Sequence, residues 1–148
     1  MKYFAYGSNM DLQGIKARGV NVYDFEVGML DNWQLVVNVI DDDLVGAGFA
    51  NIMPQANARV EGVIYTIDEV SILSLDHYEN YPFDYTREVI RVQRANYEPV
   101  DCMVYIGQTA RLRDGLKPTK SYWRSLLHGR PFLSQSYYDR LCKIDTFD

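Results

Sequence analysis

Apolar and polar positions along this chain alternate in short stretches, each with its own period. Residues 2–6, KYFAY, read as a first strand. Apolar positions then recur at helical spacing from about 10 to 18, and Gly19 supplies a C-terminal stop. Trp33-Gln34-Leu35-Val36-Val37-Asn38-Val39 is a strong strand pattern. Val45 to Met53 is a weaker, glycine-bearing one, and Val60 to Ile67 is strong again. Asp68 is placed to cap a helix over Glu69 to Tyr78, where Val70, Ile72 and Leu73 fall at helical spacing. Two further strands, about 86–94 and 101–107, form a hairpin through Asn96-Tyr97-Glu98-Pro99. Thr119 then caps a helix ending at Gly129, Pro131 breaks it, and Ser134 caps a last helix to about Lys143.

The order is therefore strand, helix, three strands, helix, hairpin and two helices. Few strands are separated by the helices that a parallel βαβ arrangement needs. The pattern predicts an α+β fold whose mostly antiparallel sheet closes into a small barrel flanked by helices. No repeat or low-complexity linker interrupts it, so residues 1–148 read as a single domain. A chain of this length buries about 68–70% of the surface its unfolded form exposes.

Composition narrows the function. The apolar fraction is 47% and the charged fraction 24%, ordinary globular values. The net charge of −5, with acids and bases interspersed, argues against nucleic acid as a partner, since phosphate contacts need a basic face. Asp41-Asp42-Asp43 reads as a solvated turn rather than a metal site. Cys102 and Cys142 lack zinc-ligand spacing. No run approaches the roughly 20 apolar residues that span a bilayer. With no signal peptide ahead of Met1, a cytoplasmic protein with free thiols is expected, as a monomer or weak homodimer.

Phosphate-binding loops, dinucleotide fingerprints, nucleophile elbows and HExxH are all absent. The two histidines, His77 and His128, read as helix-surface residues. Two stretches remain. In "YFAYGSNM", residues 3–10, a strand runs into a Gly-Ser-Asn turn that opens a helix. Such a turn presents unpaired amides and the positive end of the helix dipole to an anion. Ser8 and Asn9 also suit helix capping. Tyr3 and Tyr6 flank Phe4 and are expected on one side of the strand, either lining a site or packing in the core. In "LDHYENYPFDYTREVI", residues 75–90, Glu79 ends a helix, where the dipole disfavours a carboxylate. It is either a solvated end residue, paired with Arg87, or a carboxylate desolvated by Tyr78, Tyr81, Phe83 and Tyr85 and raised toward the range of a general base. Arg87 itself reads best as a partner of Asp84 or Glu88 on a strand edge.

These stretches carry a resemblance to the γ-glutamylcyclotransferase superfamily. "YFAYGSNM" resembles its signature loop, and LDxxE followed by YxR resembles its second motif. "NIMP" before "VEGVIY", and "KPTKSYWRSLLHGRPFLSQSYYDRL", resemble its later segments in the right order. The resemblance implies that family's barrel fold and a cofactor-free enzyme acting on a small γ-glutamyl compound. There the substrate's α-amine attacks its own γ-carbonyl, releasing 5-oxoproline and an amino acid or amine. It implies Glu79 as the general acid and base. Tyr3, Phe4, Ala5, Tyr6, Gly7, Ser8 and Asn9 of the loop, with Tyr122, would bind the γ-glutamyl part. Glutathione-specific relatives resemble the chain less, since their loop departs from YGSN. The glycine usual after the catalytic glutamate is Asn80 here, a residue that tolerates the left-handed turn. Thr119 stands where serine is common. A non-enzymatic metabolite-binding module and an interaction protein with a tyrosine-rich surface are the competing readings.

Overall fold

The computed structural model describes residues 1–148. β1 (Lys2–Ala5), β2 (Val22–Ile40), β3 (Gly48–Ile67), β4 (Tyr85–Arg94) and β5 (Pro99–Gly107) close into a barrel in the order β1-β3-β2-β4-β5. All neighbours are antiparallel except β1 and β5, whose parallel pairing at Tyr3 and Met103 helps close the barrel. The helices α1 (Leu12–Ala17), α2 (Ser71–Tyr78), α3 (Lys120–Leu127) and α4 (Gln135–Cys142) flank it. No helix is long and apolar enough to cross a membrane.

The predicted stretches 33–39, 45–53 and 60–67 are parts of two long strands. β2 begins eleven residues before Trp33, and β3 carries both later stretches. Residues 22–32 of β2 carry no run that marks a strand: Tyr23, Asp24 and Phe25 face solvent, and Gly28, Asp31 and Asn32 interrupt the apolar pattern after them. The gap expected between 53 and 60 survives as a break in the ladder. Pairing passes from Trp33↔Pro54 to Asp31↔Arg59, and the excursion between is built on Asn32 and Asn57, both at φ 66°. The Asn57 amide donates to Asn32 Oδ1 at 3.1 Å.

Inward-facing residues of successive strands fill the barrel: Phe4, Ile52, Val60, Ile64, Val92 and Val104 are each almost wholly buried. Burying Phe4 alone contributes about 2–3 kcal/mol. It lies where β2 and β3 pair at Gly28 and Gly62, and a Cβ at Gly28 would stand 2.8 Å from its ring. A Cβ at Gly62 would collide with the Ala5 carbonyl, so this glycine lets β1 lie close against β3.

Capping follows the sequence. Thr119 and Ser134 accept from the amides of Tyr122 and Tyr137, three residues on. α2 itself starts at Ser71, with Val70 in the capping position, yet Asp68 Oδ1 still accepts from the Ser71 amide at 3.0 Å. Gly19 (φ 90°) ends the first helical region. Trp123 Nε1 donates to the Leu141 carbonyl at 2.8 Å, tying α3 to α4, and α3 packs on the turn that follows β1.

Candidate active site

β1 stops at Ala5, and this ending assembles the site. Residues three apart on a continuous strand face opposite ways. Because the strand ends, Tyr6 turns to the same pocket as Tyr3. Gly7 (φ −116°, ψ −137°) leads into a one-turn 3-10 helix, Ser8–Met10, closed by Met10 N–H to the Gly7 carbonyl at 3.0 Å. The amides of Gly7, Ser8 and Asn9 donate to no acceptor in the chain. A Cβ on Gly7 would make only ordinary contacts, with Ala50 and Tyr122 Oη, so glycine here keeps space open rather than relieving a clash. Tyr65 Oη donates to the Asn9 carbonyl at 2.6 Å and fixes the turn from below.

The second half of the site comes from the end of α2. The Glu79 amide donates to the Leu75 carbonyl at 2.8 Å, and Asn80 adopts φ 52°, the left-handed conformation expected of it. The chain then reverses, with Tyr81 N–H bonded to the Asp76 carbonyl at 2.9 Å and Asp84 N–H to the Asn80 carbonyl at 2.9 Å. This turn aims Glu79 at the Gly-Ser-Asn loop, where Asn9 Nδ2 donates to Glu79 Oε1 at 3.3 Å and to Tyr3 Oη at 3.1 Å.

Tyr3, Tyr6, Gly7, Ser8, Asn9, Glu79 and Tyr122 all line one pocket, with Ala50, Tyr85 and Tyr105 completing it. Counted together with the solvent at its mouth, the space there is about 300 Å³, and little of it is enclosed. A second hollow of about 490 Å³ adjoins it, sharing Ser8, Glu79, Tyr85 and Tyr122 and adding Phe49, Tyr78 and Asp84. The side chain of Phe4 belongs to the barrel core, and Ala5 is buried at the end of β1; neither lines the pocket.

The five phenols around the pocket differ in what their protons do. Tyr6 Oη donates to the Tyr105 carbonyl, Tyr85 Oη to the Ala50 carbonyl, and Tyr105 Oη to Asp76 Oδ1, each at 2.6 Å. Tyr3 Oη and Tyr122 Oη instead accept, from Asn9 Nδ2 and from the Ala50 amide at 3.0 Å, which leaves each O–H free to donate. Burial pushes all five phenols up from their ordinary pKa, so they stay neutral donors.

Glu79 keeps some exposure as a residue, but its carboxyl is crowded by the pocket walls. Desolvation is the largest influence on it and raises its pKa from 4.5 to about 7; the Arg18 guanidinium pulls it back, and Asp84 pushes it further up. The solvated, Arg87-paired alternative does not describe it. Arg87 lies 3.4 Å from Asp76 and over the Tyr81 ring, whereas Asp84 is bound by Arg111 at 2.9 Å. The expected pairing of Arg87 with Asp84 or Glu88 is thus corrected: Asp76, one turn before Asn80 on α2, reaches it first. Tyr85, expected only among the aromatic neighbours of Glu79, lines the pocket, as does Tyr105, and Arg18 braces it through Asn9; the motifs mark neither Tyr105 nor Arg18. Only the fold brings their strands and helix end to the loop.

His77 and His128 are exposed at helix ends, His128 against Asp11 at 3.1 Å. Cys102 is buried and Cys142 exposed, both as free thiols. Asp41-Asp42-Asp43 is a turn, with the Asp43 amide bonded to Asp41 Oδ1. No group of three or more His, Cys, Asp or Glu is gathered as for a metal ion.

A family model described as gamma-glutamyl cyclotransferase, AIG2-like, matches residues 3–125. Among solved structures, an uncharacterized protein from Homo sapiens superposes with a TM-score of 0.86 at 22% identity, covering 99% of this chain and 89% of that one. A structure called gamma-glutamyl cyclotransferase gives 0.86 at 21%, covering 100% and 89%. A glutathione-specific gamma-glutamyl cyclotransferase from yeast gives 0.68 at 12%, covering 95% and 93%. At these identities the likeness is one of fold. No curated protein sequence matches the chain.

Proposed function

The chain belongs to the gamma-glutamyl cyclotransferase, AIG2-like family, and on that footing we propose that it releases 5-oxoproline from a small γ-glutamyl compound. The observation that carries the reading is a single carboxylate, Glu79, with a pKa of about 7, facing a loop whose amides have no partner in the chain.

The chemistry assigns each group a task. Nucleophile and electrophile share one molecule, so the pocket must mainly hold the γ-glutamyl chain folded back on itself. The amides of Gly7, Ser8 and Asn9 receive its α-carboxylate or the oxyanion that develops on the γ-carbonyl. Tyr3 and Tyr122 direct their free O–H groups to the same end. Glu79 takes a proton from the α-ammonium, whose nitrogen attacks the γ-carbonyl carbon. The C–N bond to the leaving group then breaks as Glu79 returns a proton to the departing nitrogen. The attacking nitrogen loses two protons to become the ring N–H. The leaving nitrogen takes up one to depart as a neutral amine, the other passing to solvent, or takes up both to depart as an ammonium. A carboxyl with pKa near 7 serves both directions at neutral pH. No step needs a metal or an organic cofactor. The adjoining hollow at Phe49, Tyr78 and Asp84 holds the leaving group. The proposed setting is the cytoplasm, where the free thiols of Cys102 and Cys142 stay reduced, with the protein acting as a monomer or weak homodimer.

The test is 5-oxoproline release from a panel of γ-glutamyl amino acids, γ-glutamylamines and glutathione. The freed amine should appear in equal amount from at least one member. A folded protein that releases neither product from any of them overturns the reading.

A further inference from the structure

Arg18 follows the last residue of α1 and immediately precedes the left-handed Gly19. It lines neither hollow of the site, yet it reaches both halves of it. Its Nη1 donates to Asn9 Oδ1 at 2.6 Å, and its guanidinium lies 4.0 Å from the centre of the Tyr78 ring. Tyr78 Oη in turn shares a 2.8 Å hydrogen bond with Ser8 Oγ. The helix makes room for this reach: a Cβ at Gly14 would stand 3.2 Å from Arg18 Nη1.

We infer that Arg18 is a positioning residue that locks the Asn9 side-chain amide with its NH2 turned toward Tyr3 and Glu79. A guanidinium only donates, so the amide edge facing Arg18 must be the carbonyl oxygen. The NH2 is then committed to the opposite side, where it meets Tyr3 Oη at 3.1 Å and Glu79 Oε1 at 3.3 Å. Without Arg18 nothing holds that edge, and the amide can rotate to point its oxygen at Glu79. That rotamer accepts from a protonated Glu79 and repels an ionised one. Arg18 thereby favours the ionised carboxylate, the form that must receive the first proton.

The charges bearing on this relay are few. Arg18, at the end of α1, and Asp84, in the turn before β4, are the charged groups that act on Glu79. The phenols of Tyr3 and Tyr6 on β1, Tyr85 on β4, Tyr105 on β5 and Tyr122 on α3 surround Glu79 and are held neutral by burial. Arg18 itself is faced by Asp11, Tyr65 and Tyr78.

The inference rests on the proposed role of Glu79, but its test does not need turnover. The Glu79 carboxyl is titrated by carbon-13 NMR in the unmodified protein, Arg18→Met and Arg18→Lys, the signal being assigned by its loss in Glu79→Gln. The Glu79 midpoint should rise by about 1 pH unit in Arg18→Met and return at least half-way in Arg18→Lys. With a substrate in hand, kcat/KM of Arg18→Met should fall about fivefold at pH 7 and recover by about pH 9. A purely structural defect lowers it equally at every pH. A midpoint unmoved in a cooperatively melting Arg18→Met overturns the inference, as does lysine failing to restore it. If Arg18→Met does not fold, Arg18→Leu, which likewise offers Asn9 no donor, takes its place and must raise the midpoint; Arg18→Gln, which keeps a donor to Asn9 Oδ1 without the charge, must raise it by less. If no γ-glutamyl compound turns over, the reaction assignment fails while the titration still decides the role of Arg18.

Discussion

Replacing Glu79 by glutamine should stabilise the protein, and by an amount that depends on pH. Glutamine keeps the shape of the protonated acid and still accepts from Asn9 Nδ2, but carries no charge. The carboxyl of Glu79 ionises near 4.5 in the unfolded chain and near 7 in the pocket. Below pH 4.5 it is protonated in both states, and the variant gains nothing. Between 4.5 and 7 the unfolded chain ionises first, so the folded state is increasingly penalised as pH rises. Above 7 both states are ionised and the penalty is complete. At about 1.4 kcal/mol per pH unit the full gap corresponds to about 3 kcal/mol. Urea unfolding of both proteins from pH 4 to 8.5, compared at equal slope, reads this difference directly, because every other titrating group cancels. The expected curve is near zero at pH 4 and about 3 kcal/mol in favour of the variant at pH 8. A difference that is flat with pH, or that grows toward acid, refutes a carboxylate desolvated in the folded state.

Two other substitutions probe the loop and the turn. Tyr122→Phe removes the acceptor of the Ala50 amide and the free O–H facing the pocket. Stability should fall by about 1–2 kcal/mol and KM for a γ-glutamyl substrate should rise about tenfold, measured by urea unfolding and steady-state kinetics. Asn80→Ala forces an alanine into φ 52° and should cost about 1 kcal/mol, with Asn80→Gly recovering it; paired melting curves check this.

The sequence was most legible where side chains commit to one environment. The apolar runs 33–39 and 60–67 are strands because their neighbours bury them, and Thr119 and Ser134 cap because their hydroxyls have a local amide to serve. The start of β2 was hidden because Tyr23, Asp24 and Phe25 face water and the strand is held by its backbone ladder with β3. In the site, the loop and Glu79 carry local motifs, and Asn80 adopts the conformation its side chain tolerates. Phe4 sits inside the signature loop yet packs in the barrel, since strand alternation turns it away from Tyr3. Tyr105 and Arg18 carry no local mark, because only barrel closure and the end of α1 bring them to the loop. Asp76 likewise captures Arg87 from another element, against the nearer choices in sequence.

The central claim is that Glu79 moves the protons. The most direct measurement is the rate of 5-oxoproline formation by Glu79→Gln at pH 8, on the compound the unmodified protein turns over best. The expected rate is at least about 100-fold lower, in a protein that is folded and more stable than its parent. A Glu79→Gln protein that forms 5-oxoproline at the parental rate contradicts it.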